Sequence, residues 1–384
     1  MRIGLVIFPF VPSHGSILQT FAIYTKLKEM GHSVTIINRV VASIGPVQLI
    51  RRTLSNFKRK LLGQYEGPVF YFGHSPRVIM KNLQPFIRTC FGDDIISVTN
   101  EDEAKKVAQT GAYDAFVVGS DQVWRPKYVP DVYHYYLAFV PDDLPAQRIA
   151  FCPSFGTDEW EYTEEQTLRC KQLLSKFNAV AVREIDGLRL CHDYLGKDAI
   201  HLMDPTILLK PCTYLSTVVT ACTRYEQAKT ACNTINVYYL DETIEKRQIV
   251  DSICRKLQLS SQYINNRIQD DNARIIDRIA PSLSTWLEGF SNASFIVTDS
   301  YHATLFALYF NKPFITVINE RRGASRFYSL MNDLGLHDRF VLTPKGITDS
   351  LIHGVIDWRP INQFLDEQRN RSIAFLKDSL GGIV

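Results

Sequence analysis

The chain has 384 residues, 46% hydrophobic and 22% charged, an ordinary globular composition that excludes a disordered, collagen-like or low-complexity scaffold. At about 150 residues per domain, this length favours two domains. Its 43 basic and 40 acidic residues leave a net charge of +3, too even for a general nucleic-acid surface, so any basic site has to be local.

Residues 3–8 form a short apolar run, and Pro9 and Pro12, with no small-residue cleavage site, favour a strand over a signal peptide. The loop Ser13-His14-Gly15-Ser16 follows, then Ile17, Leu18, Phe21, Tyr24 and Leu27 at helical spacing, Gly31 as a stop, and a second strand at 34–37. This is a βαβ unit. Residues 47–62 read differently: Val47, Ile50, Leu54, Phe57 and Leu61 recur every three or four positions, with Arg51, Arg52, Lys58, Arg59 and Lys60 between them and no acid. Such a basic amphipathic helix either docks its apolar stripe on the domain or lies on an anionic membrane surface.

Further buried-type strands are expected at Ala115–Val118, 149–152, Ala179–Val182 and 200–203, in a parallel sheet. The Pro-bounded stretch from Asp204-Pro205-Thr206 to Pro211 marks a boundary that divides a domain over 1–205 from one over 206–384. The second half alternates again, with strands at 237–240, 263–264, Phe295–Thr298 and 314–318, helices near 249–257 and 283–290 and from Tyr301, and a C-terminal helical segment. The expected architecture is α/β, two Rossmann-like domains facing across a cleft, with ligands at the carboxyl ends of the strands. The eight cysteines include no C-x-x-C pair, which disfavours a metal finger and fits reduced thiols in a cytosolic protein. No apolar run approaches the roughly 20 residues that span a bilayer.

No G-x-G-x-x-G, G-x-x-x-x-G-K-[ST], G-x-S-x-G or H-E-x-x-H occurs, so dinucleotide enzymes, P-loop NTPases, α/β-hydrolases and zincins lose ground. The strongest local signal is the strand Phe295–Thr298 running into Asp299-Ser300-Tyr301-His302. Asp299 and Ser300 are both good caps for a helix whose N-terminus attracts anions, and His302 in its first turn could exchange protons; the plain alternative is a histidine packed at a helix start. After the next strand, Asn319-Glu320-Arg321-Arg322-Gly323-Ala324-Ser325-Arg326 offers three arginines for bidentate binding of phosphate or carboxylate, or else a solvated basic loop. In the first half, Gly119-Ser120-Asp121-Gln122-Val123-Trp124 carries groups able to bind a sugar, or forms only a turn and cap. Ser154 follows another strand, and Arg183 either reaches the cleft or pairs with Glu184 or Asp186.

Taken in order, Gly119-Ser120-Asp121-Gln122-Val123-Trp124, Ser154-Phe155-Gly156, Val182-Arg183-Glu184, Asp204-Pro205-Thr206, Thr298-Asp299-Ser300-Tyr301-His302-Ala303 and Arg322-Gly323-Ala324-Ser325-Arg326 resemble the polysaccharide pyruvyl transferase family. The resemblance implies a glycosyltransferase GT-B-like fold and transfer of a pyruvyl group from phosphoenolpyruvate to a sugar of a surface-polysaccharide precursor, forming a cyclic ketal and releasing phosphate. It implies His302 as catalytic residue, Arg183, Arg322, Arg326 and Ser300 as phosphoenolpyruvate ligands, and Asp121 as base for the sugar hydroxyl. His14, Ser16, Ser120, Gln122 and Ser154 would face the acceptor, a sugar or lipid-linked oligosaccharide. Phosphoenolpyruvate is then a co-substrate, and no cofactor, metal or nucleic acid is required. Arg125, where the family commonly has Asn, and Ser13-His14-Gly15, in place of an Asn-aromatic-Gly pattern, leave the acceptor open. The expected place of work is the cytoplasm, at the inner face of the membrane if residues 47–62 attach there. Two rival readings are a GT-B glycosyltransferase using a nucleotide sugar and a non-catalytic carbohydrate-binding assembly subunit.

Overall fold

Apolar runs bounded by turns become the strands of two fully parallel sheets. The computed structural model describes residues 1–40, 46–63, 69, 75–221, 233–264, 267–268, 270, 273–319, 322–343 and 346–381. The side chain of Val47, and Cys222, Cys232, Glu320 and Arg321, lie outside the described residues.

The first sheet contains β1 (Arg2–Ile7), β2 (Ser33–Arg39), β3 (Ile95–Val98), β4 (Ala115–Val118), β5 (Gln147–Phe151), β6 (Ala179–Val182) and β7 (Ile200–His201) in the order β3-β2-β1-β4-β5-β6-β7. The second contains β8 (Thr234–Tyr238), β9 (Ser260–Tyr263), β10 (Phe295–Thr298), β11 (Phe314–Val317) and β12 (Phe340–Val341) in the order β12-β11-β10-β8-β9. The order reverses between β1 and β4 in one sheet and between β8 and β10 in the other, and such switch points open a crevice beyond the strand ends. Register is set by burial on both faces: Leu5 of β1 lies opposite Ile36 of β2 and Val117 of β4, and all three are fully buried.

Helix α1 (His14–Glu29) starts at Ser13, whose side chain accepts from the Ser16 amide, and it is buried around most of its circumference from His14 to Tyr24. A helix buried all round lies inside a core rather than on a surface. Its neighbours explain this. Ile17 and Phe21 belong to the same apolar cluster as Tyr214, Trp286, Phe290 and Phe306, so one core runs from the first sheet into the second. The last helix, Trp358–Ser379, returns to the first sheet, where Phe375 stacks on Phe151 at 6.0 Å and Arg369 donates to the Ile207 carbonyl at 2.7 Å.

Strands β3 and β12 had no counterpart in the sequence reading; both are short edge strands, four and two residues long, too short to show a pattern. The run expected at 200–203 pairs only over Ile200–His201, because Asp204 turns the chain into a short 3₁₀ segment, Pro205–Leu208. The six cysteines among the described residues whose state is defined are free thiols. Helix α2 (Pro46–Leu61) is formed as expected, with its apolar stripe exposed rather than docked.

Candidate active site

The carboxyl ends of β4, β6 and β10 bring together the groups that the motifs singled out. After β4 the backbone turns sharply at Asp121, whose φ of +82° is in a region that Asp and Asn tolerate better than other side chains. The turn is pinned by the Ser154 amide, which donates to the Asp121 carbonyl at 2.9 Å, and by the Gln122 amide, which donates to Asp121 Oδ1 at 2.8 Å. After β6 comes Arg183, 1% exposed, with Nη1 donating to Asp204 Oδ2 at 2.9 Å and Nη2 lying 3.6 Å from Asp121 Oδ1. After β10, Thr298 Oγ1 accepts from the Ser300 amide at 3.0 Å, and Ser300 Oγ accepts from the Ala303 amide, so of the two cap candidates it is Ser300 that caps the helix Tyr301–Tyr309.

His302 stands in the first turn of that helix, with Nε2 3.6 Å from Asp204 Oδ2 and no hydrogen-bond partner. Its ring lies directly on the backbone of α1. A Cβ on Gly15 would fall 2.2 Å from both Cγ and Nδ1 of His302, so only glycine fits there.

Arg326 arrives on the helix Ser325–Leu334, which is held to the first half by Ser325 donating to Asp186 and by the Ile185 amide donating to Ser329 Oγ at 3.2 Å. At Gly323, φ +95°, a Cβ would lie 2.0 Å from the Gly156 carbonyl oxygen, so this close contact also demands glycine. The guanidinium carbons of Arg183 and Arg326 lie 5.4 and 5.1 Å from the centre of the Tyr301 ring, within cation–π range. Arg183 Nε and Nη2 and Arg326 Nε are buried and donate no hydrogen bond. Unpaired buried guanidinium donors are costly, and an anionic ligand would satisfy them.

Electrostatics keep the carboxylates of this cluster ionised. Burial would raise the pKa of Asp204, but His302, Arg183 and the Thr206 amide hold it far below the usual carboxylate range. Gln19 and the Thr206 hydroxyl also donate to it. Burial likewise opposes ionisation of Asp121, and Arg183, His302 and Arg326 together outweigh it. Arg326 moves the other way: burial first, and then the neighbouring Arg183 charge, pull its pKa down to about 10. Two cations, Arg183 and Arg326, are thus crowded in a dry site beside two ionised carboxylates, Asp121 and Asp204.

Arg322 is placed differently from the expected anion ligand. Its Nε and Nη2 donate to Asp241 at 2.6 and 2.7 Å, and that fork, ahead of the opposing effect of burial, lowers the Asp241 pKa to about 2. Asn319 also donates to Asp241, at 2.7 Å, and Asp299 organises this end of β8 by accepting from the Leu240 amide, the Asp241 amide and Lys246 Nζ. Arg322 is therefore neutralised by an acid at the end of β8.

The residues expected on the acceptor side are all buried. Both ring nitrogens of His14 meet partners, the Pro281 carbonyl at 2.9 Å and the Tyr238 hydroxyl at 3.4 Å, and its ring stacks on Trp286, so His14 joins the two halves rather than facing a ligand. Ser16 is 4% exposed, and its carbonyl accepts from Thr20 Oγ1 within α1. Ser120 donates to the Cys152 carbonyl and accepts from Gln19, while Gln122 accepts from Arg125 at 3.0 Å. Ser154 differs, since its fully buried hydroxyl has no hydrogen-bond partner. Arg125 itself forks onto Glu161 at 3.0 Å through both Nε and Nη2, so its departure from Asn is absorbed internally.

Asp204, Gln19, Tyr301, Asp241 and Lys246 received no site role from the sequence. Asp204 had a usable signal, an acid soon after the last strand of the first sheet, and Tyr301 stood inside the motif that carries His302; the others reach the site only through long-range packing. Among the described residues no group of three or more His, Cys, Asp or Glu side chains is arranged to hold a metal ion.

Comparison with known proteins places this geometry. Over its whole length the chain is 11% identical to a Listeria monocytogenes structure assigned as a UDP-N-acetylglucosamine 2-epimerase, with 97% of that chain covered and a TM-score of 0.53. It is also 11% identical to UDP-GlcNAc 2-epimerase from Neisseria meningitidis, covering 99% of both chains with a TM-score of 0.51. Arabidopsis thaliana UGT89C1, complexed with UDP-L-rhamnose, is 10% identical over 99% of this chain and 98% of its own, with a TM-score of 0.50. At these identities the likeness is one of fold, and the fold is GT-B-like. No curated protein sequence matches the chain. The polysaccharide pyruvyl transferase family profile matches residues 14–321, which include Asp121, Arg183, Asp204 and His302. The chain is therefore a transferase that belongs to the polysaccharide pyruvyl transferase family.

Proposed function

We propose that the protein transfers a pyruvyl group from phosphoenolpyruvate to two hydroxyls of a sugar in a surface-polysaccharide precursor, closing a cyclic ketal and releasing inorganic phosphate. The observation that carries this reading is the pair Arg183 and Arg326, which flank Tyr301 beside His302 and leave three buried guanidinium nitrogens without a hydrogen bond. Phosphoenolpyruvate carries a phosphate and a carboxylate on a three-carbon frame, the charge such a pair would neutralise. The amino end of the Tyr301–Tyr309 helix, capped by Ser300, adds to that positive field. Arg322 would join as an outer ligand when the donor competes with Asp241 for its fork.

The atoms balance as follows. A sugar hydroxyl adds to C2 while the methylene carbon gains a proton, the C2–O bond to phosphate breaks, and the second hydroxyl closes the ring. Of the two hydroxyl protons, one ends on the new methyl group and one on phosphate. His302 is assigned the proton delivered at carbon, and Asp121, ionised and carried by the first half, the proton taken from the sugar. Asp204 holds Arg183 and stands by the His302 ring. The test is calorimetry with phosphoenolpyruvate, UDP-sugars and GDP-sugars, followed by phosphate release across a panel of sugar acceptors. Binding of phosphoenolpyruvate with acceptor-dependent phosphate release supports the assignment; binding of a nucleotide sugar alone, or no release with any acceptor, refutes it.

A further inference from the structure

We infer that α2 seats this protein peripherally on an anionic lipid surface, a property separate from the donor assigned above. The helix carries a stripe that the rest of the fold leaves uncovered: Ile50 is 59% exposed, Leu54 63%, Phe57 52% and Leu61 73%, with Leu62 just beyond at 60%. At about 3.6 residues per turn, the first four lie within roughly 60° of arc. Burial lies on a different side of the helix, since Asn56, about 120° round from Ile50, is 6% exposed. The stripe is therefore not the side that is buried.

Charge identifies the occupant. Arg51 and Lys58 border one edge of the stripe and Lys60 the other, with Arg52 and Arg59 further round, and the segment Pro46–Leu61 contains no acid. A second copy of this chain would bring two cationic faces together and is disfavoured by repulsion. An uncharged apolar groove would gain nothing from the flanking cations. An anionic bilayer satisfies both features, taking the apolar side chains into the acyl boundary and the cations at the headgroups. Among the described residues no helix is long and apolar enough to cross a membrane, so this contact lies in the interface plane.

The test is co-sedimentation of the full chain with phosphatidylglycerol vesicles and with phosphatidylcholine vesicles at about 0.1 and about 1 M salt, over which the screening length falls from ~10 to ~3 Å. The inference expects binding to phosphatidylglycerol at low salt, loss at high salt, and about fivefold weaker partitioning for each of Arg51→Gln and Lys58→Gln. Leu54→Gln should also weaken it without a change in melting temperature. As an independent reading, Phe57→Trp should show a blue-shifted emission with phosphatidylglycerol vesicles and none with phosphatidylcholine. Equal sedimentation with both lipids, binding unaffected by Arg51→Gln and Lys58→Gln, or no fluorescence shift overturns it. A lipid-free dimer that Leu54→Gln dissolves also overturns it and gives the face to a second copy.

Discussion

Gly15 offers a direct test of whether the His302 ring has to stand where the fold puts it. In Gly15→Ala the new Cβ would fall 2.2 Å from two ring atoms of His302, against the 3.4 Å of ordinary contact, so the ring has to retreat by about 1.2 Å. That is a third of the present 3.6 Å separation between His302 and Asp204. A misplacement of about 1 Å at a reacting group costs on the order of 10²-fold in rate, and overpacking costs about 1–3 kcal/mol of stability. The variant should therefore fold, bind phosphoenolpyruvate near normally through Arg183 and Arg326, and turn over about a hundredfold more slowly in a phosphate-release assay. The same substitution made in a His302→Gly background, which also removes the His302 Cβ that would lie 2.6 Å from the new methyl, should add little, because the group it displaces is gone. Wild-type turnover in folded Gly15→Ala, or a second full hundredfold loss in the double variant, would refute the argument.

Three further outcomes are expected. His302→Ala should lower turnover by about 10²- to 10⁴-fold while calorimetry finds phosphoenolpyruvate binding retained; lost binding with unchanged turnover per bound complex would make His302 a ligand instead. Arg326→Lys should weaken phosphoenolpyruvate binding by about tenfold or more, because lysine cannot reproduce a planar fork against Tyr301, and unchanged affinity would move the donor elsewhere. Burial pulls the His14 pKa from 6.5 to about 4, with the Pro281 carbonyl only partly opposing it, so the folded protein keeps His14 neutral after the unfolded chain has begun to take up its proton. That stability is complete above pH 6.5 and is lost as pH falls from 6.5 through about 4, roughly 2 kcal/mol of it by pH 5. Melting temperatures between pH 7 and 5 should fall less steeply for His14→Gln than for wild type, and parallel slopes would exclude His14 as the source.

Strands buried on both faces were legible because they leave continuous apolar runs. The motif after each one stood out because polar residues there have no packing reason to follow. A cap at Asp299 or Ser300 and His302 in the first turn of its helix were readable for the same local reason. Edge strands β3 and β12, only four and two residues long, left no such trace. The arginine loop shows the limit of local reading. Three arginines beside a glycine advertise anion binding, yet Arg322 is claimed by Asp241 at the end of β8, and nothing within the loop announces that partner.

By itself the sequence determined the α/β alternation, the strand ends where chemistry gathers, the helix cap before His302 and the cationic amphipathic character of α2, since each depends on spacing along a few turns of chain. Tertiary structure decided which charges meet. It set Arg183 against Asp204 rather than Glu184 or Asp186, put Arg183 and Arg326 on one tyrosine ring, spent His14 on joining the halves, and made Gly15 the floor beneath His302. It also left the α2 stripe uncovered. The reason is that a charge–charge or ring contact depends on distances of a few ångströms between segments tens to hundreds of residues apart, and those distances exist only once both sheets have packed around their shared core.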